Sequence, residues 1–111
     1  MSKELPKKVE QFLRYEMVRA SGYFNMIIEA VTAMRYAGLT QNEYLTVLNH
    51  YSDYKKISED YRSKSKDNEA LFTEYATEMA TRVRESYQKT LRIEEEVKEI
   101  MKRALSEPAP F

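Results

Sequence analysis

The 111-residue sequence contains no cysteine, which removes disulfide bridges, thiolate zinc sites and thiol nucleophiles together. Glycine occurs only at Gly22 and Gly38, and the three prolines, Pro6, Pro108 and Pro110, stand near the two ends. An all-β domain needs a turn about every 8–12 residues, and so few chain breakers cannot supply them. Long helices can be built from this sequence instead. Eighteen basic residues balance eighteen acidic ones, so bulk electrostatics favour neither a polyanion nor an anionic membrane surface as partner. Long apolar runs are also missing. The densest, Met26 to Met34, is interrupted by Glu29 and Thr32 and falls well short of the roughly 20 residues that a membrane span requires. The first residues carry Lys3, Glu4, Lys7, Lys8 and Glu10 with no apolar stretch among them, so no secretory signal is read there and a cytoplasmic location is expected.

What the sequence does have is helical periodicity. Pro6 suits the start of a helix, because its missing N–H is not needed there. From there Val9, Leu13, Met17, Ala20, Phe24, Ile27, Val31 and Met34 recur three or four apart, one face of a helix over 7–37 that ends at Gly38. Gly22 would then lie inside that helix. A mid-helix glycine costs about 1 kcal/mol relative to alanine, and the expected compensation is the close approach of another helix. Thr40 followed by Glu43 forms a capping box that opens a second helix over 41–63, with Tyr44, Val47, Leu48, Tyr51, Tyr54, Ser58 and Tyr61 inward. A short loop is read over 63–68. A third helix follows over 69–105, its stripe being Phe72, Tyr75, Ala76, Met79, Val83, Tyr87, Ile93, Val97, Ile100, Met101 and Ala104. The expected fold is all-α: a single domain over 1–105 forming an elongated, antiparallel three-helix bundle with an overhanging C-terminal helix, then a disordered tail over 106–111.

Candidate catalytic chemistry is sparse. His50 is the only histidine, with Asp53 three residues later, a pairing that acid–base or metal chemistry uses but that arises cheaply on any helix edge. Bundle di-iron sites need two Glu-x-x-His motifs and further carboxylates, which one histidine cannot provide. No nucleophile elbow or phosphate-binding glycine loop occurs. A structural position at the core edge near Ile57 and Tyr61 is expected for His50, with no catalytic residue, metal or cofactor implied. Nine tyrosines could stack on bases. Yet Tyr44, Tyr51, Tyr54, Tyr61, Tyr75 and Tyr87 fall at core spacing, so packing is expected, with some hydroxyls reaching the rim.

The segment Ala33-Met34-Arg35-Tyr36-Ala37-Gly38-Leu39-Thr40-Gln41-Asn42-Glu43-Tyr44-Leu45 resembles the opening of repressor-type helix-turn-helix domains, in which Ala-Gly-Leu-Thr-Gln is followed by a Glu. The resemblance implies an alternative function, a DNA-binding regulator using the Gly38–Glu43 junction. Where that family has a small residue and then a glycine turn, this chain has Leu45 and then Asn49 or His50.

Helix lengths supply the last expectation. At 1.5 Å per residue the three helices measure about 46, 35 and 55 Å and cannot cover one another. Ile93, Val97, Ile100, Met101 and Leu105 should project at one pole, and Val9, Phe12 and Leu13 at the other. Exposed apolar stripes of this kind mark interfaces. The expected function is therefore a small, non-catalytic adaptor, inhibitor or accessory subunit. Its partner would be another protein or a second copy in a coiled-coil homodimer, with nucleic acid and membrane not expected.

Overall fold

The computed structural model describes residues 4–106, and every regular element among them is a helix: α1 (Lys7–Ser21), α2 (Ala30–Ala37), α3 (Gln41–Asn49), α4 (Tyr51–Ser63) and α5 (Lys66–Ser106). No described helix is long and apolar enough to cross a membrane. The tail expected from 106 cannot be followed: Ser106 closes α5, and 107–111 lie outside the described residues.

Two of the three expected helices are divided. The first breaks at Gly22, which adopts φ +73° as a left-handed cap, its N–H donating to the Arg19 carbonyl at 3.2 Å. Asn25 then starts the return. Its side-chain oxygen accepts from the backbone N–H groups of Ile27 (3.0 Å) and Ile28 (2.9 Å), and its own N–H donates to the Glu29 carboxylate at 3.0 Å. These bonds satisfy the otherwise unpaired donors of a new helical start. The close approach expected at Gly22 is not made, since a Cβ placed there would meet nothing within 4 Å. Its role is the positive φ. Alanine and leucine at position 22 are accordingly expected to destabilise the fold by about the same amount, roughly 1–2 kcal/mol, as measured by urea unfolding. A leucine penalty well above that of alanine would show that packing, not backbone conformation, is what resists the change.

The reversal changes what α1 buries. Its inward residues are Val9, Phe12, Leu13, Tyr15 and Val18, whereas Ile27 and Val31, expected on the same stripe, are exposed. α2 returns along α1, so that Arg14 Nη1 donates to the Ala37 carbonyl at 3.3 Å. Gly38 closes α2 at φ +67°, and the capping box opens α3 as expected, Glu43 N–H donating to Thr40 Oγ1 at 3.2 Å and Thr40 N–H to Glu43 Oε1 at 2.9 Å. The Thr40 backbone N–H first, then the Thr40 hydroxyl and the Gln11 side-chain amide, hold the Glu43 carboxyl below its ordinary range. The second helix is interrupted at His50, whose φ of −121° and ψ of 35° are not helical; His50 N–H donates to Thr46 O and Tyr54 N–H to His50 O, both at 3.0 Å, on the two sides of the break. The loop read over 63–68 shrinks to Lys64 and Ser65, because Ser65 Oγ accepts from Asn68 N–H at 3.1 Å and starts α5 early.

α1 is the central element and touches all four others. Phe12 packs on Tyr51 with ring centroids 5.6 Å apart, and Tyr15 on Tyr44 at 5.3 Å. Tyr75 donates to Glu10 at one level and Tyr87 stacks on Tyr23 at another, which makes α5 run parallel to α1. The overhang expected for Val9, Phe12 and Leu13 is therefore absent. Ending at Ser21, α1 is short enough to be flanked by α4 and α5, and the three side chains are 0, 5 and 1% exposed in the chain's own core.

Candidate functional site

The body of the molecule ends in an aromatic cluster. Tyr87 of α5 stacks on Tyr23 at 3.9 Å, with Phe24 edge-on at 5.7 Å and Tyr36 at 6.5 Å. One turn further on, the Tyr36 hydroxyl and Thr90 Oγ1 share a hydrogen bond of 2.8 Å. Beyond Thr90 every described residue of α5 is exposed. The molecule is 70 Å long and 28 by 23 Å across, and residues 91–106 account for about 24 Å of helix at 1.5 Å per residue.

The apolar stripe does not stop where the body does. Met79 and Val83 are 3 and 1% exposed, and the same face then continues through Ile93, Val97 and Ile100, which are 51, 47 and 63% exposed. Met101 and Leu105 are 57 and 83% exposed beside it. At 100° per residue, Ile93, Val97, Ile100, Met101 and Ala104 fall within an arc of about 100°, bordered on one side by Glu96 and Arg103 and on the other by Glu94. The segment stays helical because it holds neither glycine nor proline and is rich in Glu, Lys, Arg and Leu. It is also nucleated by the folded part of the same helix, which removes the main cost of starting an isolated one. Spacings such as Glu94–Lys98 and Glu99–Arg103 support it further.

The five residues expected to project at this pole do so, while Val9, Phe12 and Leu13 belong to the core. Sequence reasoning missed Ile27 and Ile28, exposed at 75 and 84% in the turn beside the aromatic cluster, together with Val31 and Leu91. The signal for the first three was Gly22 followed by Asn25, a helix stop and a helix start that the uninterrupted apolar spacing concealed.

His50, expected at the core edge near Ile57 and Tyr61, lies on the surface instead. His50 is 60% exposed, with Nδ1 3.9 Å from Asp53 Oδ2, at the bend between α3 and α4. Among the described residues no three His, Asp or Glu side chains gather as metal ligands do. Tyr44 and Tyr54 are buried; Tyr51 and Tyr75 are half-buried and donate to Glu16 and Glu10 at 2.8 and 3.3 Å. Where a helix-turn-helix would have its turn of three to four residues, α3 and α4 are joined through His50 alone, at φ −121° and ψ 35°. α4, in the place of a recognition helix, turns Tyr54 and Ser58 into the core. Compared with known protein families, curated proteins and solved structures, the chain matches none.

Proposed function

We propose that the chain is a non-catalytic interaction module whose working part is the projecting end of α5, presented by the α1–α4 body as a rigid arm. The observation that carries this reading is the continuity of one apolar stripe from the buried residues Met79 and Val83 to the exposed Ile93, Val97 and Ile100. Covering those side chains is favourable at roughly 25 cal/mol per Å² of apolar area, and nothing within the described chain covers them.

The test compares the wild-type chain with Ile93→Glu/Val97→Lys/Ile100→Glu in two assays: self-association by sedimentation, and capture of proteins from the native cell identified by mass spectrometry. Because these side chains are about half exposed or more and stand outside the core, the variant should keep the helical circular dichroism and melting of the α1–α4 body. It should lose whichever association the wild type shows. A variant that retains every association of the wild type would overturn the assignment of this face.

A further inference from the structure

We infer that the projecting segments of two copies pair with each other, antiparallel, about a two-fold axis that passes between Lys98 and Glu99. This deepens the interaction reading above by naming the occupant of the α5 face as a second copy of this chain.

Three features of the segment point to this register. The first is its heptad pattern: Thr90, Val97 and Ala104 occupy one core position of a coiled coil, and Ile93 and Ile100 the other. With the axis between Lys98 and Glu99, Val97 lies opposite Ile100 of the second copy and Ile93 opposite its Ala104, each contact occurring twice. The overlap then runs from Leu91 to Ser106, the part of α5 that the body leaves uncovered.

The second is charge. In this register Glu96, on the border of the stripe, lies beside Arg103 of the second copy, and Arg103 beside its Glu96. Sliding the pair by one core layer towards the bodies sets Glu96 against Glu96 and Lys89 against Arg103, which repel. Charges flanking a coiled-coil seam select register and orientation in this way.

The third is the body itself. The exposed stripe continues the face on which Met79 and Val83 are already buried. A second helix lying parallel on that stripe would have to occupy the space of the Gly22 turn, where Tyr23 and Phe24 sit against Tyr87. An antiparallel helix ends level with Leu91 instead, short of the turn, and places the two bodies at opposite ends. The arrangement is closed and uses the same patch on both copies, as a two-fold interface must.

The experiment is a charge exchange read by sedimentation velocity over a concentration series. The wild-type chain should form a dimer that dissociates on dilution. Glu96→Arg and Arg103→Glu should each be monomeric, because either change creates two like-charge contacts across the axis. An equimolar mixture of these two variants should dimerise again, and so should the double variant, since both restore opposite charges. Orientation is read on the cysteine-free background. A mixture of Val97→Cys and Ile100→Cys chains under mild oxidation should give mainly the mixed disulfide. Homodisulfides as the main product would show parallel pairing and overturn the proposal. So would single charge variants that dimerise like wild type, or a mixture that stays monomeric. A wild-type chain that is monomeric throughout, yet loses a cellular partner when Ile93, Val97 and Ile100 are charged, would overturn self-pairing while leaving the interaction module standing.

Discussion

Leu13→Ala is expected to lower the stability of the chain by about 2–5 kcal/mol, the range for removing a fully buried leucine from a packed core. Leu13 is 1% exposed, in the middle of the central helix and between neighbours Phe12 and Val9 that are equally enclosed. At about 4 °C per kcal/mol for a domain of this size, the melting temperature should fall by on the order of 10–20 °C. The same fall should be seen at every protein concentration. This separates the two roles that the sequence allows for Leu13. Stability that depends on an interface rises with concentration by mass action, whereas a cavity inside one chain costs the same at any dilution. A melting temperature that is unchanged in dilute solution but lower in concentrated solution would return Leu13 to an intermolecular surface.

The reason that Val9, Phe12 and Leu13 looked free in the sequence is also the reason that much of the fold was legible. Periodicity reports which residues share a face, and it placed Tyr44, Val47, Tyr54, Ser58, Met79 and Val83 inward, as found. The Thr40–Glu43 capping box was readable because its signal is local and chemical. Periodicity does not report a reversal of direction. The spacing Phe24, Ile27, Val31, Met34 continues the phase of Val9, Leu13 and Met17 across Gly22, so the arithmetic of one long helix absorbed a turn. With α1 taken as twice its length, its near end had to overhang; halved, it fits inside the bundle. Gly22 and Asn25 held the information, but a glycine inside an apolar repeat has two meanings, and only the backbone φ of +73° separates them.

The projecting end of α5 was legible for the opposite reason. At 41 residues α5 outruns each of the other helices, the longest of which has 15, and that difference survives the division of the first helix. A break at Ser86 to Thr90, which would have folded the end back as another helix, does not occur. Thr90 is instead tied to Tyr36 by its hydroxyl, and its Oγ1 also reaches the Ser86 carbonyl at 3.0 Å, within an unbroken helix. What the sequence did not convey is that the arm leaves the body beside a second set of exposed apolar side chains, Ile27 and Ile28. These exist as surface only because the chain turns at Gly22.

Raising the pH from 10 to 12 is expected to destabilise the wild-type chain steeply, with Tyr44 as the largest single contributor. Its ring is 1% exposed against Tyr15, and its hydroxyl donates to the Met26 carbonyl at 2.6 Å. Burial pushes its pKa up to about 12 from the ordinary value of 10.0, with the neighbouring Tyr15 adding to the rise. Below pH 10 the phenol is neutral in both the folded and the unfolded chain, and its contribution is fully present. Between 10 and 12 the unfolded chain gives up the proton while the folded chain keeps it, so the unfolded state gains. Above 12 both are ionised and the loss is complete, on the order of 2–3 kcal/mol for a shift of this size. Tyr15, Tyr51 and Tyr75 are also shifted upward, chiefly by burial, and add to the fall with the same sign. Tyr44→Phe cannot ionise, so its stability should decline less between pH 10 and 12. It should start about 1–3 kcal/mol lower at neutral pH, because the Met26 carbonyl loses its donor. That bond fastens the start of the returning segment to α3, and its loss should be felt first at the Gly22 turn. Urea unfolding of both chains at pH 7, 10 and 12 tests the argument. Parallel declines in the two would show that the Tyr44 hydroxyl is not the group that titrates.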